Sequence, residues 1–179
     1  MSDINDKVWM VIYTKPRSEK KLSILLQKMG IEANAFLYHT MRQWSDRKKK
    51  VELPLIPGFV FVHYSMSKIA DLYEIPFVNG LLKINGELAI VKAYEINNLR
   101  IISKEWSGEK IIQSTNLQFE KGEKVVVNSG NFKGMIGELV KIKGRHRLVV
   151  VIVSLNVSFT LEVAKSKVTK IKNPNEALC

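Results

Sequence analysis

The side chains best suited to covalent or metal chemistry in this chain are few and far apart. Three histidines, His39, His63 and His146, do not follow the spacings of metal ligands. The single cysteine, Cys179, is the last residue, where nothing would orient it as a nucleophile. His63 falls in a strand-like run, so we interpret it as a sheet-face residue. The sequence therefore predicts no catalytic, metal-binding or cofactor-binding residue, and an enzyme is the weakest functional hypothesis.

A second kind of chemistry, contact with nucleic acid, is open to two basic clusters. The first cluster flanks the start of a predicted helix and consists of Lys15, Arg17, Lys20 and Lys21. The second cluster occupies a stretch too charged to bury and consists of Arg42, Trp44, Arg47, Lys48, Lys49 and Lys50. Flexible cations contact phosphates, and an exposed tryptophan can stack on an unpaired base. The alternative interpretation of the second cluster is a solvated loop that confers solubility.

Charge and composition narrow the class of protein. The 179 residues include 28 Lys and Arg against 17 Asp and Glu, a net charge of +11 that favours polyanions without identifying one. No apolar run approaches the roughly 18 residues of a membrane span, and the polar N-terminus lacks the apolar core of a signal peptide. One cysteine permits no internal disulfide, which fits a reducing compartment. We expect a cytoplasmic protein, monomeric and without membrane contact.

The hydrophobic pattern predicts a mixed first domain at residues 1–108. An apolar run at 8–13 predicts a buried strand. Leu22, Leu25, Leu26 and Met29 then lie on one face of a helix that begins after Ser18 and ends at Gly30. The elements predicted after this helix are strands at 33–40, 59–64, 78–84 and 88–91, a basic hairpin tip at 42–50, a short helix from Ser67 and a helix at 94–106.

A linker and an all-β domain follow. Residues 109–118 show no clear period, so they are the expected linker. Residues 119–174 contain five closely spaced strand patterns, at 124–128, 135–142, 147–153, 158–163 and 168–171. Five short strands joined by short turns predict a small barrel. The β-branched run at 148–153 favours strands over helices.

The loop within residues 121–140 carries the first family resemblance. Gly130, Gly134 and Gly137 punctuate it, with Phe132 and Lys133 in the middle. The glycines match neither the Walker A nor the dinucleotide pattern, and they open a strand where a phosphate site would need a helix. The order resembles the KOW motif of small SH3-like barrels in ribosomal proteins and transcription elongation factors. Such barrels bind protein or RNA.

Two upstream segments carry a second resemblance. The residues at 9–20, WMVIYTKPRSEK, and at 54–62, PLIPGFVFV, resemble the N-terminal domain of the NusG family. With the downstream KOW motif they span most of the chain in the family's order. The resemblance implies an α+β fold: an antiparallel N-terminal sheet flanked by helices, then a C-terminal SH3-like β-barrel on a flexible linker. It implies a transcription elongation or antitermination factor that binds the RNA polymerase clamp and suppresses pausing or termination.

The resemblance also assigns residues. The pocket for the polymerase clamp helices would consist of Tyr13, Ile56, Pro57, Phe59 and Phe61. Met10 departs from the aromatic residue often found there in the family, so the rim of this pocket stays undefined. Both basic clusters would face non-template DNA or nascent RNA. A ribosomal protein or termination factor would meet the barrel at Phe132, Met135 and Leu155.

Alternatives stay open at each of these sites. Phe59 and Phe61 could simply pack under a helix, and Phe132 and Met135 could plug the mouth of the barrel. The basic hairpin looks like that of specialised paralogues acting on surface-polysaccharide operons, which we favour over the housekeeping factor. The alternative function is a ribosome-associated, RNA-binding KOW protein without polymerase contact, although the apolar strand at 59–62 has no use in such a module.

Overall fold

The fold was determined as a computed structural model. It describes residues 6–44, 46–106, 111–114, 122–142, 145–152 and 155–172, without the side chains of 111–114, 141, 142 and 145. The terminal Cys179, the turn predicted at 143–144 and most of the predicted linker lie outside the described residues.

The N-terminal part is built on a four-stranded antiparallel sheet with the strand order β2-β5-β1-β6. Strands β3 and β4 form a separate hairpin, and so do β7 and β8. The elements, in chain order, are β1 (Lys7–Thr14), α1 (Glu19–Lys28), β2 (Glu32–Asn34), β3 (Leu37–Gln43), β4 (Lys48–Pro54), β5 (Phe59–Ser65), a 3-10 helix (Met66–Glu74), β6 (Val78–Leu81), β7 (Lys83–Ile84), β8 (Glu87–Leu88) and α2 (Ala93–Glu105). Antiparallel strands with helices confirm the predicted α+β class.

The two central strands, β1 and β5, send alternate residues into two cores. Met10 lies opposite Val62 and Ile12 lies opposite Val60. All four side chains have no exposed surface, and they share their core with the leucines of α1. On the other face, Val11 lies opposite Phe61 in a second core that includes the apolar residues of α2. The period of two in β1 and β5 therefore places α1 and α2 on opposite sides of one sheet.

The C-terminal part is a six-stranded antiparallel sheet with the order β14-β10-β11-β12-β13-β9. Its strands are β9 (Ile111–Ser114), β10 (Glu123–Val127), β11 (Ile136–Ile142), β12 (Arg145–Ile152), β13 (Val157–Glu162) and β14 (Val168–Lys170), with a 3-10 turn at Lys165–Lys167. The five predicted strands are confirmed. Among the described residues the pairings leave β14 and β9 as edges, so they give an open order rather than a closed ring.

Part of the predicted linker is a strand. Ile111–Ser114 pairs with β13, with Ile111 opposite Leu161 and Ser114 opposite Ser158. Without β9, the backbone of β13 would present an unpaired edge to solvent, so the pairing satisfies hydrogen bonds that a linker would not. The linker predicted at 109–118 is therefore wrong for these four residues.

Two predicted strands are broken by local geometry. In the strand predicted at 33–40, the Asn34 side-chain oxygen accepts a hydrogen bond from the Phe36 amide at 2.6 Å, and Phe36 has a φ of 44°. This turn separates β2 from β3 and sends Phe36 into the second core. The strand predicted at 78–84 ends at Leu81, after which β7 pairs with β8 around Asn85 and Gly86, whose φ values of 52° and 86° fit a two-residue hairpin turn.

Two glycines of the KOW-like loop are required for two different physical reasons. Gly134 has a φ of 86°, a conformation that residues with a side chain rarely adopt. Gly137 is needed for close approach, because a Cβ atom there would lie 2.5 Å from the carbonyl oxygen of Val149 in β12. The loop and the start of β11 therefore depend on both glycines.

Candidate functional site

An aromatic surface lies at one end of the N-terminal sheet, formed by Tyr13, Pro57 and Phe59. The rings of Tyr13 and Phe59 lie on paired strands with their centroids 5.1 Å apart. Tyr13 is 40% exposed, Pro57 is exposed and Phe59 is half-buried. These three of the five residues predicted for polymerase binding thus offer apolar area to a partner.

The other two predicted residues lie beneath this surface. Phe61 is 1% exposed and meets the ring of Phe36 edge-on at a centroid distance of 5.0 Å. Ile56 is 5% exposed and belongs to the same core. Phe61 and Ile56 therefore support the aromatic surface from inside and expose almost no area of their own. The packing interpretation therefore holds for Phe61, and Phe59 keeps both interpretations.

A buried carboxylate fixes the loop beside Pro57. Glu19, in the first turn of α1, is 2% exposed and accepts a hydrogen bond from the Gly58 amide at 2.7 Å. The Gly58 carbonyl in turn accepts from the Thr14 amide at 2.9 Å. Glu19 thereby ties α1, the loop and the end of β1 together. Sequence reasoning missed Glu19, since an acidic residue in a first helical turn is usual without any tertiary role.

A basic hairpin is formed by β3 and β4, and its strands include residues 42–43 and 48–50 of the predicted tip. The tip is closed by a hydrogen bond from the Trp44 amide to the Arg47 carbonyl at 2.8 Å. Trp44 is 56% exposed, and every described residue of the second basic cluster is exposed. This geometry leaves the indole and the cations open to solvent and to a ligand.

The register of the hairpin places like charges together. Arg42 lies directly opposite Lys49, and Lys48 and Lys50 lie on the other face. Like charges on facing residues destabilise a strand pair. The hairpin therefore carries an electrostatic cost that an anion between the strands' cations would relieve.

The two basic clusters are joined. Lys20 of α1 makes an ion pair and hydrogen bond with Glu52 of β4. Lys15, Arg17 and Lys21 are exposed beside this bridge. Because Lys20 pairs with the Glu52 carboxylate, it helps to orient the hairpin. That carboxylate does not neutralise the other cations of the first cluster. The Lys20–Glu52 contact thus brings α1, which carries part of the first basic cluster, against the hairpin that carries the second.

The three residues predicted as the partner site of the C-terminal domain are turned inward. Met135 has no exposed surface. Phe132 and Leu155 are partly buried and pack against a buried cluster that includes residues of α2. The C-terminal domain was expected to be joined to the N-terminal domain only by a flexible linker. In the structure the two domains are in contact.

Hydrogen bonds and aromatic rings make this interdomain contact. The Asn98 side chain is buried and bonds to both backbone groups of Ile136, at 2.7 and 2.9 Å. Trp106, at the end of α2, lies 4.8 Å from the ring of Tyr38 and 6.4 Å edge-on from that of Phe159. A cleft of about 780 Å³, lined by Trp106 and Phe132 among others, flanks the contact. No feature of the sequence pattern identified Asn98 as an interdomain residue.

The histidines described in the structure have ordinary surroundings. His63 stacks on Trp9 with the ring centroids 5.1 Å apart and its Nδ1 lies 3.2 Å from a Glu32 oxygen, which confirms its interpretation as a sheet-face residue. Within the described ranges no three His, Cys, Asp or Glu side chains gather into a metal site. In those same ranges, no helix has the length and apolar character to cross a bilayer.

Comparisons with known proteins give one matching family and several similar structures. The family model described as "Transcription termination factor nusG" matches residues 7–100, more than half of the chain. The structure is similar to that of "Domain interaction in Thermotoga maritima NusG", with a TM-score of 0.44 and 22% identity, covering 93% of this chain and 98% of that one. It is also similar to conformation A of the MjSpt4:Spt5 complex, with a TM-score of 0.30 and 16% identity, covering 92% of this chain and 99% of that one. No curated protein sequence matches the chain.

Proposed function

The chain belongs to the NusG family of transcription factors, and from this premise we propose that it is an elongation and antitermination factor that binds RNA polymerase at the clamp. The observation that carries the proposal is the aromatic surface, whose Tyr13 and Phe59 rings lie within the matched residues and keep exposed area. A contiguous apolar patch of this kind suits the apolar face of a partner helix.

The proposed mechanism is mechanical and needs no catalytic group. The aromatic surface grips the clamp, and the body of the domain reaches the opposite wall of the polymerase cleft. A factor that binds the closed, moving state more tightly than the open, paused state shifts the population toward the moving state. The result is less pausing and less termination.

The basic surface along α1 and the hairpin is the proposed contact for nucleic acid, non-template DNA or nascent RNA. It is supported by exposed cations on both faces of the hairpin and by the exposed Trp44 at its tip. Phosphate contacts neutralise the repulsion between Arg42 and Lys49, and the indole stacks on an unpaired base. The operons we propose are those for surface polysaccharides, on the resemblance of this hairpin to that of specialised paralogues.

The test of polymerase binding is a charge placed on the aromatic surface. We expect Phe59→Glu in the full chain to abolish binding to purified core RNA polymerase while the circular dichroism spectrum stays unchanged. The control is Tyr73→Glu, at an aromatic residue that is 50% exposed and lies on the 3-10 helix beside the other core. Full polymerase affinity in a folded Phe59→Glu variant would refute the proposed surface.

The alternative function gives a different result in the same experiment. A ribosome-associated RNA-binding protein would show no affinity for core polymerase in the wild type, and would instead bind purified ribosomal subunits through its C-terminal sheet. Measuring both affinities side by side separates the two functions.

A further inference from the structure

The cleft of about 780 Å³ beside the end of α2 has no role in the function proposed above. The end of α2 contributes Lys104, Glu105 and Trp106, and the rest of the lining belongs to the C-terminal sheet and its loops. Sites that enclose a small organic ligand usually have volumes of about 300–1,000 Å³. The cleft is therefore large enough for one small molecule or for one unit of a polymer.

A guanidinium with too few acceptors lines this cleft. The side chain of Arg147 in β12 is only 22% exposed, and its Nη2 donates to a Glu162 oxygen at 3.5 Å. That distance is longer than the usual range of about 2.7–3.2 Å for such a bond. The Arg147 Nε is buried and has no hydrogen-bond partner among the described residues. A largely covered cation with so few acceptors is costly, so an anion in the cleft would stabilise it.

A lysine ammonium lies beside bare backbone in the same cleft. A Cβ atom on Gly130 would lie 3.7 Å from the Lys167 Nζ, so the missing side chain leaves this ammonium uncovered on that side. None of the ion pairs between described residues includes Lys104 or Lys167. The charged residues of the lining are the cations Lys104, Arg147 and Lys167 and the carboxylates Glu105 and Glu162. Cations are in excess, which favours an anionic ligand.

Aromatic rings and small polar side chains complete the lining. Trp106 and Phe132 are each partly buried and keep some exposed area. Ser129 and Asn131 are exposed, and their hydroxyl and amide groups can both donate and accept hydrogen bonds. Exposed aromatic rings stack on flat heterocycles, and groups that donate and accept can pair with the polar edge of a base. The cleft therefore offers partners for a base as well as for an anion.

We propose that this cleft binds a nucleoside phosphate, with the phosphate at Arg147 and Lys167 and the base against the rings of Trp106 and Phe132. A plain inorganic anion would use the cations alone, and an apolar molecule would leave Arg147 without an acceptor. The ligand is a free nucleotide or one nucleotide of a single strand, since both present the same groups. The site is separate from the basic hairpin and does not depend on polymerase binding.

An NMR titration of the full chain with adenosine monophosphate tests the site. We expect the Trp106 indole N–H and the backbone amides of residues 129–132 to shift, while the amides of Met10 and Ile12, in the core under α1, stay in place. Adenosine and inorganic phosphate each carry half of the ligand, so each should bind at least about tenfold more weakly. Inorganic phosphate that binds as tightly as the nucleotide would overturn the proposal, because the cleft would then bind any anion.

Two lysines of one turn provide a matched pair of variants. Lys165 and Lys167 are both exposed and lie on the same 3-10 turn, and of the two only Lys167 lines the cleft. Lys167→Gln removes a charged donor to the phosphate, so the nucleotide should bind about tenfold more weakly or worse. Lys165→Gln removes only a screened charge, so the affinity should stay within about twofold. Equal losses would show a general charge effect and would overturn the site.

A third variant separates the base from the phosphate. Phe132→Leu keeps an apolar side chain but removes the ring, so it should weaken the nucleotide about tenfold and leave the affinity for inorganic phosphate unchanged. Equal losses for the two ligands would contradict stacking and overturn the proposal. If Phe132→Leu does not fold, as judged by the amides of Met10 and Ile12, the two lysine variants decide, since both change exposed side chains.

A single-stranded RNA oligomer distinguishes the two sources of the ligand. It is added to a chain in which Arg47, Lys48, Lys49 and Lys50 are changed to Ala, so that the hairpin does not compete for it. A shift of the Trp106 indole N–H at oligomer concentrations below those needed for the free nucleotide identifies a strand, and the reverse order identifies a free nucleotide. No shift with either overturns the proposal. Polymerase takes part in none of these measurements, so failure here is distinct from failure of the proposed function.

Discussion

The aromatic surface of the N-terminal sheet and the loop end of the C-terminal sheet were both predicted as protein-binding sites. In the structure the first is exposed and the second is largely buried. At the first, Tyr13 and Pro57 remain exposed, and only the supporting residues are buried. At the second, Met135 is fully covered and a neighbouring backbone edge is capped by Asn98. One surface is open in the resting chain, while the other is already occupied.

This difference shows what an apolar cluster means in a sequence. Aromatic and aliphatic residues in a loop or on a strand identify area that will be removed from water, but not the molecule that removes it. In β5 the inner residue Phe61 packs against other residues of the chain, whereas the outer residue Phe59 keeps exposed area. In the C-terminal loop the chain itself covers Met135 completely and Phe132 in part. The aromatic surface is accessible to a partner in this conformation, whereas Met135 is not.

The largest expected effect separates the inner residue from the outer one on β5. Phe61→Ala removes a ring that is 1% exposed and packed against Phe36, so it should lower the free energy of unfolding by about 3–5 kcal/mol. Phe59→Ala, at a half-buried position, should cost clearly less and impair binding more than folding. Urea denaturation of both variants measures the gap. Equal destabilisation would mean that Phe59 is as much a core residue as Phe61. That result would contradict its assignment to a binding surface.

The next effect concerns the start of β11, which follows the loop end of the C-terminal sheet. Gly137→Ala places a Cβ atom 2.5 Å from the Val149 carbonyl oxygen, so β11 and β12 must move apart. Overpacking of this kind costs about 1–3 kcal/mol, and we expect it in the C-terminal sheet. Hydrogen exchange should show weakened amides in β11 and β12 and unchanged amides in the core under α1. Weaker protection spread evenly over both domains would instead show that they unfold as one unit.

Much of this fold follows from patterns in the sequence. The period of two in β1 and β5, the helical spacing from Leu22 to Met29, and the charged tip between β3 and β4 each depend on neighbours within a few residues. Such local patterns predicted the elements to within one or two residues at most ends. The basic hairpin was predicted because its cations occur together in a short segment, whereas the aromatic surface was assigned through the resemblance to the NusG family.

The parts that escaped prediction depend on distant partners. Asn98 in the middle of a helix reads as a solvent-facing polar residue, yet it is buried against Ile136, 38 residues along the chain. Phe36 adopts a φ of 44° that no local propensity favours, because the turn places its ring in the core. Strand β9 has too little pattern to stand alone and is formed by pairing with β13. In each case tertiary contacts override the local preference.

The salt dependence of nucleic-acid binding tests the open, basic side of the N-terminal domain. Changing Arg47, Lys48, Lys49 and Lys50 to Ala should flatten the log–log slope of affinity for a single strand against salt by about 0.7 for each phosphate that is no longer neutralised. Thermal stability should not fall, since the repulsion between Arg42 and Lys49 is relieved. The control replaces four exposed lysines of the C-terminal part, Lys124, Lys133, Lys165 and Lys172. Equal slopes in the two quadruple variants would mean that the hairpin contributes only to the overall positive charge and does not contact phosphates directly.

The smallest expected effect compares one exposed carboxylate from each domain. Hydrogen bonds from the Ser65 hydroxyl and the Ser67 amide lower the pKa of Asp6 below its ordinary 3.8. A hydrogen bond from Lys170, and then that residue's charge, lower the pKa of Glu123 below its ordinary 4.5. In both cases the folded pKa lies below the unfolded one, so each carboxylate contributes stability above its ordinary value. That contribution disappears as the pH falls through the lowered pKa.

The two donors nevertheless differ in kind, and salt should tell them apart. Screening weakens the ionic part of the Lys170 contact, so the pKa of Glu123 should rise toward 4.5 in about 1 M salt. The neutral donors at Asp6 carry no net charge, so its pKa should stay low. Carboxyl-carbon NMR titration of the full chain at low and high salt measures both, and Lys170→Met should reproduce the effect of salt on Glu123 alone. An equal rise at Asp6 would mean that its pKa is set by the +11 net charge of the protein and not by Ser65 and Ser67.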